Sequence, residues 1–385
     1  MKIVGVKVLE FRRRLDGRTW NPGFRWHERR APLLVVETDA GLAGVGEAWS
    51  RQEEVALVLD DLVDRCAPAL LGCDPLLRER IVAQLPPPVE FVEPWIAAAS
   101  ASAVDIALWD LSAQVARQPL WRALGGGSGR VAVYASGGLY RDRATLDDLV
   151  RESGAHVADG FTAIKMKIGA LPLEADLERV RSVRRGAGDG VVLWVDAVNR
   201  LTRDSALRWC TSLAEAGVAA IQAPLPFDDI LGMAGINASS MPVVADERAH
   251  RERQFRALLD AGAVTFLQYC VGLCGGFTGA MKLDDNAAVH GVQSTPQCFS
   301  TAVMQAASLH FGASRANVGT VEFHRFHDHL ASAMPAAMKT VAAGFVHLDD
   351  TPGLGIAPPV PGAQAGGGDV RLHGHLTLPT HASHA

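Results

Sequence analysis

Eight short apolar runs, each followed by a loop and a stretch of helical pattern, recur between residues 131 and 322. They are Val131 to Ala135, Ala163 to Lys167, Val191 to Asp196, Ala219 to Gln222, Val243 to Ala245, Val264 to Gln268, Gly291 to Ser294 and Gly319 to Glu322. Intervening stretches such as Leu173 to Arg185 and Asp204 to Ala216 carry helical periodicity. Continuous apolar runs suit strands buried on both faces, and strands alternating with helices suit a parallel sheet. This spacing predicts a closed β/α barrel with its active site at the C-terminal strand ends. An open doubly wound sheet is the alternative, but no GxGxxG follows the first strand.

The preceding 124 residues read differently, with strands first (Val4 to Phe11, Leu33 to Thr38, Ala43 to Glu47) and then helical pattern over Glu53 to Leu70 and Trp95 to Val115. The glycine-rich stretch at 125–129 breaks the chain. The predicted organisation is an α+β capping unit over 1–128, a barrel over 129–325 and a terminal segment over 326–385 that returns to the capping unit and ends in a flexible tail. His373, His375, His381 and His384 near the end read as a solvated tail. Arg18 to His27, between the first two strands, is rich in cations and aromatics. It is a candidate lid, with Trp20, Arg25, Trp26 and His27 as candidate substrate contacts.

Lys165 and Lys167 stand two residues apart on one predicted strand, so they share a face. Crowded ammonium groups disfavour each other's charge, which predicts a lowered pKa for at least one and a role as base.

Composition narrows the partners. The net charge is −5 and charged residues make up 21% of the chain, a balance that favours neither nucleic acid nor an anionic membrane. The six cysteines lack zinc spacing and read as thiols. The N-terminus reads as a strand rather than a signal peptide, so the expectation is a cytoplasmic protein acting on a small molecule.

Several of these residues resemble the mandelate racemase and muconate lactonizing enzyme branch of the enolase superfamily. Ser102 to Leu111 with Leu124-Gly125-Gly126 is similar to the family's hallmark helix and its exit, and Pro352-Gly353-Leu354-Gly355 to its C-terminal return. The resemblance implies an α+β cap over a modified (β/α)7β TIM-like barrel. It also implies proton abstraction beside the carboxylate of a small substrate, an enolate held by Mg2+, and, as is common in the family, a homo-oligomer. Lys165-Met166-Lys167 resembles the family's KxK motif, which makes Lys167 the base. Of three expected acidic metal ligands, Asp196 matches the first, and Asp246 or Glu247 matches the third. Gln222 stands at the second, and losing that carboxylate weakens the cage.

On the opposite wall Cys270 and Gln297 occupy the places of an Asp/His dyad, while the acid of the eighth strand is kept as Glu322. Nearby His324, His327 and His329 read as capping or surface residues. Three functions follow from the resemblance: a dehydratase with Lys167 as base, a racemase or epimerase using Lys167 and Cys270 on opposite faces, and a metal-free or silent metabolite-binding relative.

Overall fold

The computed structural model describes residues 1–88, 92–239, 241–326, 336–365 and 367–379. His327, His329, His381 and His384 lie outside them. Among the described residues, eight parallel strands alternate with seven helices, giving the (β/α)7β order. The strands are Arg130–Gly137, Ala163–Lys167, Val192–Asp196, Ala220–Gln222, Val243–Val244, Phe266–Leu267, Gln293–Ser294 and Val321–His324. The last pairs with the first in parallel register, and a bridge between Ser294 and Val318 closes the ring. Inside it, Tyr134, Trp194, Ala220 and Val244 pack as an apolar floor. The charged groups therefore sit above a plug rather than in a channel.

The cap is an antiparallel sheet of Ile3–Arg14, Glu28–Thr38 and Ala43–Glu47. The helix Pro94–Val115 lies on it. By length and composition that helix could cross a membrane, yet it is largely buried inside the protein. Its close approach depends on Gly44 and Gly46, where an added Cβ would fall 2.3 Å from the carbonyl oxygen of Ala107 and 2.0 Å from that of Ala103. The region read as one helix from Glu53 to Leu70 is interrupted by a wide turn at Leu62–Cys66, where the Ala67 amide donates to the carbonyl of Leu62. Pro68 has no amide hydrogen to continue the i→i−4 ladder there.

The hallmark helix joins cap to barrel through polar groups. Ser102 Oγ accepts from the Gly275 amide at 2.9 Å, and Asp105 accepts from the Thr278 amide at 3.0 Å and hydroxyl at 2.6 Å. Asp110 accepts from the amides of Val45 at 3.0 Å and Leu354 at 2.8 Å. The terminal segment lies against the cap, and the stretch around His373 and His375 is a strand rather than the tail expected. Gly368–Thr377 is a strand paired antiparallel to Ile3–Arg14, with His373 and His375 exposed on it and His373 Nε2 3.0 Å from Asp60.

Candidate active site

Strand register gathers the candidate residues at one end of the barrel. Lys167 is paired with Asp196, and Asp196 with Gln222, so three neighbouring strands present these groups side by side. With Lys165, Glu247, Gln297 and Glu322 they line a cavity of about 340 Å³, which the cap covers with Asn21, Phe24, Trp26 and Arg29.

The two lysines have unequal surroundings. Lys165 is buried, with its Nζ 2.8 Å from Glu322 Oε1 and 3.8 Å from Asp196 Oδ2, and donates to Gln222 Oε1 at 2.7 Å. Burial works to lower its pKa, but Glu322 and Asp196 outweigh that and raise it. The expected depression from like-charge crowding is thus reversed at Lys165, because carboxylates separate the two ammonium groups. Lys167, nearer the cavity mouth, donates to Asp196. Burial alone would raise the Asp196 carboxyl; the two lysines hold it below its ordinary value.

The acids after the fifth strand are also distinct. Asp246 is held by Arg248, with Nη2 at 2.5 Å, and by Asn199. Glu247 accepts from Gln222 Nε2 at 3.0 Å. Burial, followed by the charges of Asp246 and Asp196, pushes the Glu247 carboxyl up to about 7. Glu247 is therefore the acid turned toward the strand-end cluster.

Several expected contacts lie elsewhere. Trp20 stacks on Tyr140 at 4.6 Å between centroids and donates to Asp142, while Arg25 forms an ion pair with Asp142 at 2.7 Å. His27 is exposed beside Gly17. The loop is a hairpin, Thr19–Asn21 with Phe24–Arg25, and its alternation turns Trp20 and Arg25 away from the cavity. Only Trp26 of the four lines it. Cys270 is fully buried in the cluster shared with Leu273, Cys298 and Met304, outside the cavity lining. Burial, then Cys274, pushes its thiol well above the ordinary range. His324 is no surface residue: it ends the eighth strand, buried, with its ring 4.4 Å from that of Phe299. Tyr134 and Gln268 were missed by sequence reasoning. Gln268 donates to Tyr134 at 3.0 Å and accepts from Gln222. Its position two residues before Cys270, at strand period, was the available signal.

Two family models match the chain: the mandelate racemase / muconate lactonizing enzyme N-terminal domain over residues 25–125 and the enolase C-terminal domain-like model over 148–360. A D-galactarolactone cycloisomerase from Agrobacterium fabrum is 30% identical, over 92% of this chain and 96% of its own. The chain belongs to the mandelate racemase/muconate lactonizing enzyme family of the enolase superfamily. An arabinonate dehydratase from Saccharolobus solfataricus is 29% identical, over 86% of this chain and 89% of its own. A racemase from Streptomyces coelicolor A3(2), solved with bound magnesium, superposes with a TM-score of 0.83 at 29% identity, covering 92% and 97% of the two chains.

Against this family, the orientation of Gln222 is informative. The Lys165 ammonium has only hydrogens to offer, so it takes the amide oxygen and turns the NH2 group toward Glu247 and Gln268. An N–H donor does not ligate a cation. Among the described residues, no three His, Cys, Asp or Glu side chains converge as a metal centre. The residues present do not fit a three-carboxylate magnesium cage, since Asp196 and Glu247 are the two acids left to form one.

Proposed function

We propose that the protein is a carbon–oxygen lyase that removes the α-proton of a small hydroxy-carboxylate with Lys167 and expels a β-oxygen. The observation that carries this reading is the division of labour between the lysines. Lys165 is locked as an ammonium by Glu322 and supplies fixed positive charge for the developing enediolate. Lys167, at the mouth, in its neutral form takes the proton. The α C–H bond breaks, the carbon–carbon double bond forms, and the β C–O bond breaks. The proton on Lys167 then leaves with the departing oxygen on the same face, as water or as the opened ring's hydroxyl.

Gln297 supports elimination. It is buried beside the cavity and its Oε1 has no hydrogen-bond partner, so it is placed to accept from a substrate hydroxyl. Racemisation needs a second base across the substrate, and Cys270 lies outside the lining with its thiol held protonated. The dehydratase and cycloisomerase relatives are consistent with elimination from sugar acids.

The test is exchange of the α-hydrogen in deuterium oxide, alongside turnover, across hydroxy-carboxylates. Lys167→Ala is expected to lose both, by at least roughly a hundredfold. Exchange that persists in this variant would assign the base elsewhere.

A further inference from the structure

Beside the catalytic cavity lies a second chamber of about 560 Å³, and Gly23, Trp49, Arg51, Val198 and Arg248 line both. The chamber adds Trp95, Asn199, Arg200, Phe227, His250 and Gln254, and its lining contains no carboxylate. Three guanidinium groups on a wall without an acid make a field that favours an anion; burial and then Arg251 lower the pKa of the His250 imidazole, so it adds polarity rather than charge. Arg51 shares its charge with Glu54 at 3.5 Å, and Arg248 with Asp246. Arg200 has no ion-pair partner among the described residues. It reaches the hairpin tip, where a Cβ on Gly23 would stand 3.6 Å from its Nη2.

A second observation points to a ligand here. Trp95 is only 5% exposed, and its indole nitrogen is buried without a hydrogen-bond partner. The Nε2 of His250 is likewise buried and unpartnered. A buried donor left unmatched is unfavourable, and a ligand oxygen would satisfy it. The Arg51 guanidinium lies 5.2 Å from the Trp95 ring centroid, which holds that cation against the chamber wall.

We propose that this chamber receives the far end of the substrate and binds a second anionic group there, a carboxylate or a phosphate, through Arg200 and the Trp95 indole. The substrate is then an elongated dianion, with its reacting carboxylate at Lys165 and its other charge at Arg200. This assignment rests on the reading of the lysine cavity as the reacting site.

Calorimetry on the native protein, the Arg200→Ala variant and the Trp95→Phe variant tests it, using hexonates, the matching hexarates and the matching 6-phosphohexonates. At least one dianion should bind about tenfold more tightly than its hexonate, and Arg200→Ala should remove that advantage. Trp95→Phe keeps an aromatic face but removes the indole N–H, and should reduce it several-fold. Preference for the hexarate or the phosphate identifies the group. Equal binding of monoanions and dianions, or equal losses for both in Arg200→Ala, overturns the proposal. Binding needs no turnover, so the two readings fail separately. Arg200-dependent binding without α-exchange removes the lyase and keeps the chamber; hexonate turnover without dianion preference does the reverse.

Discussion

Lys165 and Lys167 share a strand face but not a role, because Lys165 is sealed among Glu322, Gln222 and Asp196 while Lys167 faces the cavity mouth. Replacing Lys165 by methionine would leave Glu322 buried and short of its counter-charge, and breaking a buried pair from one side costs about 3–5 kcal/mol. Chemical denaturation should show a loss of that order in Lys165→Met and a smaller one in Lys167→Ala, because Asp196 would still keep Lys165 as a counter-charge at 3.8 Å. Comparable losses would remove the distinction. Gln222 provides the second test at this scale. The native protein should bind magnesium weakly, and Gln222→Glu, which restores a carboxylate between Asp196 and Glu247, should tighten it by about tenfold or more in a calorimetric titration. Tight magnesium binding by the native chain would mean that the amide turns its oxygen to the ion despite Lys165.

At the scale of elements, the cap helix is seated by two kinds of residue with opposite tolerances. A methyl at Gly46 would overlap the Ala103 carbonyl, so Gly46→Ala should destabilise by about 1–3 kcal/mol, the usual range for overpacking. Asp110 gives a pH signature. Burial pushes its carboxyl from the ordinary 3.8 up to about 6, and the amides of Leu354 and Val45 only partly offset that. The folded state therefore holds this proton more tightly than the unfolded chain. Its contribution is full below pH ~4 and is lost as pH rises through about 6, a change on the order of 3 kcal/mol. Asp110→Asn cannot titrate, so the stability difference between native and variant should move by that amount over this window, and a flat difference would refute the linkage. The strand period also explains what the sequence made legible. Asp196 and Gln222 could be placed because their strand-end positions resemble the family's metal-ligand positions, and the parallel register sets them side by side. Trp20 and Arg25 could not, since their direction depends on Tyr140 and Asp142, more than a hundred residues away in the chain.

At the scale of the whole molecule, the same contrast separates barrel from cap. The barrel was legible because its repeat is local: each strand, loop and helix announces itself within a few dozen residues. The terminal strand was not, because Gly368–Thr377 carries a glycine- and histidine-containing sequence whose order comes from pairing with the first strand of the chain. That pairing gives the final prediction. Ile3–Arg14 lies between Glu28–Thr38 on one side and the terminal strand on the other. Deleting residues 364–385 would turn it into an edge with unpaired amides. The cap provides Trp26 and Arg29 to the cavity, and Arg29 reaches across to the carbonyl of Phe299 in the barrel. Losing the strand should therefore weaken substrate binding as well as lower the melting temperature. The Asp105 bonds to Thr278 hold the cap helix to the barrel, and the Asp110 bond to Leu354 holds it to the terminal segment ahead of the deletion, both independently of that strand. The truncated chain should thus keep its barrel and show a separate, earlier cap transition in calorimetry, with binding lost at the first step. A single transition at the native temperature would mean that the terminal strand only decorates the sheet; loss of all folded structure would mean that cap and barrel form one cooperative unit.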